Sequence, residues 1–87
     1  MFIYSLFDKI ANFYEPPIAF PSDHEALRRI TRDFVMFKIS WYMIPNFDFY
    51  CIGSFDPNTG KVESCVPRLI DDFHNFVMKG LENVKDS

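Results

Sequence analysis

The sequence is short of most residues that build a recognisable catalytic or cofactor site. Its 87 residues hold three glycines, two histidines, two cysteines and one tryptophan. Gly53, Gly60 and Gly80 stand far apart, so no glycine-rich loop exists to cradle phosphate. Neither His24 nor His74 has a ligand three or four residues ahead of it, and CxxC is absent, so the usual zinc spacings are missing. No serine sits in a GxSxG turn. Asp71 and Asp72 are adjacent, and neighbouring helical positions diverge by about 100°, so they do not face one another as an acid–base pair. Asp8, Asp48 and Asp56 fall on separate elements. The expectation is a non-enzymatic protein without metal or cofactor.

Basic charge is also scarce. Nine Lys and Arg face twelve Asp and Glu, leaving a net charge of −3. Nonspecific nucleic-acid binding displaces counterions with Lys and Arg and so favours basic domains. The whole-chain balance therefore opposes it, although a local basic face escapes that objection. No polybasic run marks an anionic membrane surface. Long apolar runs are lacking too, because FVMFKISWYMIPNFDFYCIG is broken by Lys38, Pro45 and Asp48. A spanning helix wants about 20 predominantly apolar residues. MFIYSLFDKI has neither the basic start nor the long apolar core of a signal peptide. A soluble intracellular protein without membrane contact is expected.

What the chain has in quantity is phenylalanine: eleven copies, within 18% aromatic and 48% hydrophobic residues. Residues 1–87 make one small domain, and small domains bury a modest share of their surface. The surplus apolar mass predicts a partner surface, hence a homo-oligomer, in the simplest case a dimer.

β-branched and aromatic residues over Phe2–Asp8 predict a first strand. Residues 11–15 read as an irregular connection, and Pro16-Pro17 lead into a short second strand over Ile18–Phe20. Ser22 and Glu25 form a capping box that starts a helix. Ala26, Leu27, Ile30 and Phe34 then recur at helical spacing. Residues 35–45 fit either an extension of that helix or a strand. Phe47–Phe55 alternates as a sheet strand does, with Gly53 marking a bulge or a close backbone approach. Asp56, Pro57 and Gly60 build a tight hairpin loop. Continuing that ladder puts Phe55 opposite Val62, Ile52 opposite Cys65 and Cys51 opposite Val66. The two cysteines then point to opposite faces and stay as free thiols. Pro67 suits the first turn of a last helix, whose apolar face carries Leu69, Ile70, Phe73, Phe76, Val77, Leu81 and Val84. Gly80 weakens its end, and residues 85–87 fray. The order ββαββα predicts an α+β fold, a four-stranded antiparallel sheet with two helices on one face.

Arg28 and Arg32, four apart, share a helical flank beside Arg29. With Lys38, and Lys9 expected nearby, they are the candidate contacts for phosphates or an acidic partner. Tyr4, Tyr14, Trp41, Tyr42 and Tyr50 offer stacking surfaces for unpaired bases; Trp41, Tyr42 and Tyr50 suit an oligomer surface as well. A solvated arginine flank paired with the surplus carboxylates, and aromatics crowded into a core, explain the same residues.

Motif order adds a resemblance. Ser5-Leu6-Phe7-Asp8, then Ala11, Phe13 and Pro16-Pro17, then Ala26-Leu27-Arg28, then Ile52-Gly53-Ser54-Phe55-Asp56 and Gly60 follow one another in sequence. This succession resembles the small nonstructural protein of gokushovirus-type microviruses, icosahedral phages with single-stranded DNA genomes. The chain departs from the family where a polar insertion is usual, carrying the apolar FVMFKISWYMIP instead. The resemblance implies a protein of the host bacterial cytoplasm, absent from the virion, that serves single-strand synthesis and genome packaging. It implies single-stranded DNA, or phage or host replication proteins, as partners, and brings no catalytic residues. A protein–protein adaptor that modulates a host factor without touching DNA is the alternative.

Overall fold

The computed structural model describes residues 1–85. Five strands form one antiparallel sheet: β1 (Phe2–Asp8), β2 (Phe13–Tyr14), β3 (Ile18–Phe20), β4 (Phe47–Phe55) and β5 (Val62–Leu69). The order is β2-β1-β4-β5, with β3 also on β1. Helix α1 (Asp23–Met36) follows β3, and α2 (Phe73–Lys85) follows β5. The expected α+β architecture is present, with one more strand than predicted.

That extra strand comes from a local turn. The Asp8 carboxylate accepts from the backbone N–H groups of Ile10 and Ala11, both at 3.0 Å. Asn12 then takes a positive φ of 63°, a conformation its short polar side chain tolerates. The chain returns at once, pairing Phe7 with Tyr14 and Asp8 with Phe13. After Pro16-Pro17 it rejoins the same edge of β1, pairing Tyr4 with Ile18 and Phe2 with Phe20.

Helix α1 starts as its cap residue dictates, with Ser22 Oγ accepting from Glu25 N at 3.2 Å. Residues 35–45 are neither one long helix nor a strand. Helix α1 stops at Met36 because Lys38 adopts a φ of 56°. Lys38 N then donates to Val35 O and Ile39 N to Phe34 O, at 3.1 and 2.9 Å. This pair of bonds is a Schellman stop with lysine in the position usually given to glycine. A 3-10 helix over Trp41–Asn46 leads into β4, with Pro45 inside it.

The last third corrects three expectations. The hairpin tip pairs Phe55 with Val62 as predicted, but the ladder then shifts, so that Gly53 faces Ser64 while Cys51 faces Arg68. Residues 65–67 form an irregularity on an edge strand, where a proline without an N–H is tolerated. Pro67 therefore ends up inside β5, and α2 starts later, at Phe73. Cys51 is a buried free thiol and Cys65 an exposed one. Gly80, expected only to weaken α2, is where α2 presses on α1: a Cβ there would collide with the Thr31 methyl. Of the fraying expected over residues 85–87, Asp86 and Ser87 lie outside the described residues.

The phenylalanines explain the core. Tyr4 stacks on Phe49 (5.5 Å between ring centres) and touches Phe20 (6.3 Å). Phe73 bridges Phe49 (5.6 Å) and Phe34 (6.0 Å), and Phe34 reaches Phe47 (5.7 Å). These separations lie in the range of about 4.5–7 Å that favours ring pairs. Six rings thus run through the molecule and tie β3, β1 and β4 to both helices. His74 adds a polar pin, its Nε2 lying 2.7 Å from Phe47 O, and His24 packs edge-on against Phe76.

Candidate functional site

Opposite its buried stripe, α1 presents Arg28, Arg29 and Arg32 to solvent. The three line one hollow of about 380 Å³ together with Glu25 and Phe20. Arg28 leans on Glu25 at 3.4 Å and Arg29 on Asp33 at 3.3 Å. Arg32 has no ionic partner among the described residues. Both observed bridges are exposed, where an ion pair contributes up to about 1 kcal/mol and yields readily to a stronger anion. The hollow therefore combines guanidinium donors with an aromatic side chain. Its volume falls at the small end of ligand clefts, about 300–1,000 Å³.

Helical spacing foretold the three arginines; Phe20 was not foreseen. That ring reaches the hollow because β3 pairs with β1 and because Ser22 starts the helix two residues later. The other expected contacts lie elsewhere. Lys38 sits beyond the C-terminal end of α1, and Lys9 is at the far end of β1, 3.6 Å from Asp48. Trp41 and Tyr42 are exposed on the 3-10 helix, edge to face at 6.0 Å. Tyr50 points to the other side of the sheet from Phe49 and Cys51, where Tyr14 lies 5.8 Å away. Burial, then the Asp48 charge, raises the Tyr50 phenol above its usual range. Tyr4 is no stacking surface: it is buried at 1% exposure.

Beside the hollow, a clamp holds the start of α1 to the sheet. Asp23 Oδ1 accepts from Tyr4 Oη at 2.5 Å, and Arg68 grips both carboxylate oxygens at 3.0 Å. The forked hydrogen bonds from Arg68, then that from Tyr4, hold the Asp23 carboxyl below its usual range. Burial, then the Asp23 hydrogen bond and charge, pushes the Tyr4 phenol well up. A carboxyl depressed in the folded state stabilises above its unfolded pKa, and that contribution is lost as pH falls through the folded value. Asp23→Asn is expected to lower stability at neutral pH by about 1 kcal/mol, the pair being half exposed and screened. The gap from wild type should close below the free-aspartate pKa of about 3.9. Urea midpoints measured across that range check it; a gap independent of pH would count against the charged clamp.

A second concavity, of about 350 Å³, opens between the C-terminal half of α1 and the edge of β1. Its walls are apolar, among them Leu6, Ile18, Phe34, Phe37, Ile39 and Phe47, and its polar groups are Ser5, Glu15 and Asp33. The Schellman stop shapes it, because Ile39 is folded back onto Phe34. Nothing in the sequence pointed to this slot except the unusual apolarity of residues 34–45.

Fold and surface together define a small α+β protein with an arginine-lined hollow and an apolar slot. Among the described residues no helix is long and apolar enough to cross a membrane. The chain belongs to the phage ORF5 protein family, whose model matches residues 1–76. It is 41% identical over 66 residues to Protein ORF5 of Chlamydia phage 1, covering 70% of this chain and 69% of that protein. The resemblance to gokushovirus-type microviruses is thereby borne out. No solved structure matches the chain.

Proposed function

We propose that this phage protein is a non-enzymatic accessory factor of single-stranded DNA genome replication and packaging, acting in the host cytoplasm outside the virion. It binds the single strand through Arg28, Arg29 and Arg32. The observation that supports this reading is the convergence of those three side chains on one hollow beside Phe20. Phosphates meet the guanidiniums, and an unpaired base lies against the ring. A local cluster of this kind answers the objection raised by the net charge of −3.

Fluorescence anisotropy of a labelled single-stranded oligonucleotide tests it. Three phosphate contacts on a single strand predict a salt slope near −2, so affinity should fall about 20-fold between 50 and 200 mM salt. Arg28→Ala/Arg32→Ala should weaken binding and flatten the slope to about −0.7. A flat titration at low salt rejects direct binding. The apolar slot would then favour the second reading, an adaptor that modulates a host or phage replication protein without touching DNA.

A further inference from the structure

The chain that leaves the slot wall at Phe37 and Ile39 carries further exposed apolar side chains. Met36, Phe37, Trp41 and Tyr42 are 67, 75, 60 and 64% exposed. They crowd into seven consecutive residues at the end of α1, and Phe37 and Ile39 of the same stretch line the slot. The four side chains carry on the order of 600 Å² of accessible area, against about 800 Å² per partner in a standard interface. The slot walls supply more. Apolar exposure of that size is at the upper end of what a monomer ordinarily leaves bare.

Charge narrows the choice of occupant. Among the described residues no Lys, Arg or His lines the slot. Ser5 Oγ is engaged by Glu15 O at 2.7 Å, and Asp33 by Arg29. The Glu15 carboxylate has no ion pair among the described residues. The slot therefore fits a bulky apolar group carried next to a cation, and repels an anionic ligand. This chain presents that combination itself: Lys38, also without an ion pair among the described residues, stands three residues from Trp41. Donor and acceptor share one patch, and this is the condition for a self-complementary two-fold interface.

We infer that the protein is a two-fold dimer in which Trp41 of each protomer enters the slot of the other. Lys38 of each protomer meets the other's Glu15. The Schellman stop serves this exchange, since it turns Lys38 outward while folding Ile39 into the slot wall. The arginine hollow shares no lining residue with the slot, so dimerisation leaves it available. The inference is independent of the DNA reading, because it is tested as self-association in DNA-free buffer.

Trp41 is the chain's single tryptophan and reports on the interface directly. Sedimentation velocity and indole emission would be followed together on dilution from about 100 μM to about 0.1 μM. A dimer mass with blue-shifted emission is expected at the top, with mass and emission reverting together on dilution. Glu15→Lys and Lys38→Glu should each weaken association about 10-fold or more, and the double variant should recover most of the loss. A monomer throughout overturns the inference. So does a dimer whose indole emission ignores dilution, or a double variant no better than either single change.

Discussion

Phe73→Ala is expected to destabilise the protein by about 3–5 kcal/mol, the range for emptying a buried phenylalanine site. Phe73 is 1% exposed and joins the rings of Phe49 and Phe34. Through it α2 packs on both β4 and α1. The loss therefore falls on three elements and cannot be absorbed by one side chain moving. A chain of this length has a total stability of about 4–13 kcal/mol, so the variant sits near the edge of folding. Urea unfolding followed by circular dichroism measures it, with Ile10→Ala as control. Ile10 is 76% exposed, and its truncation should change stability by no more than about 0.5 kcal/mol. A Phe73→Ala loss under about 1 kcal/mol would contradict the packing described.

The second large effect is expected at Gly53. A Cβ there would lie 2.5 Å from Glu63 O, a backbone atom on the neighbouring strand. The clash cannot be relieved by a rotamer; β5 itself has to move. Gly53 also adjoins the place where both ladders of β4 shift, between Ile3 and Tyr4 on one side and between Cys51 and Gly53 on the other. The bulge at Ile52 and the close approach at Gly53 are one device, which bends the outer hairpin relative to the core. Gly53→Val should cost about 3 kcal/mol, at the upper end for overpacking. Hydrogen exchange should quicken in β5 more than around Phe73. An unchanged urea midpoint would show that the strands are not so closely apposed.

These two sites mark what the sequence makes legible and what it hides. The ends of β1, β3 and β4 and the cap of α1 could be read because each rests on a local rule: β-branched and aromatic runs, alternation, or a serine three residues before a glutamate. The anomaly at Gly53 was visible for the same reason, as a break in alternation. What stayed hidden depends on tertiary context. A two-residue strand such as β2 carries no period. Lysine in a left-handed helix stop breaks the rule that glycine belongs there, so the end of α1 could not be placed. Pro67 obeys two rules at once, first helical turn and edge-strand irregularity, and only the pairing with β4 decides between them. The candidate hollow divides in the same way. Its arginines follow from helical spacing, whereas Phe20 joins them through strand pairing, and Tyr50 is excluded by the pleat.

Among the described residues strand β5 has a neighbour on one side only, and it is exposed along its whole length. An open strand of eight residues is ordinarily a template on which other chains can stack into fibrils. Here the template is spoiled from within. Pro67 removes one donor from the row, the irregularity over residues 65–67 throws the spacing out of step, and the Lys61–Glu63 pair puts charge at the outer end. The mismatch that confounded the cysteine register thus also makes this edge a poor template for a further strand.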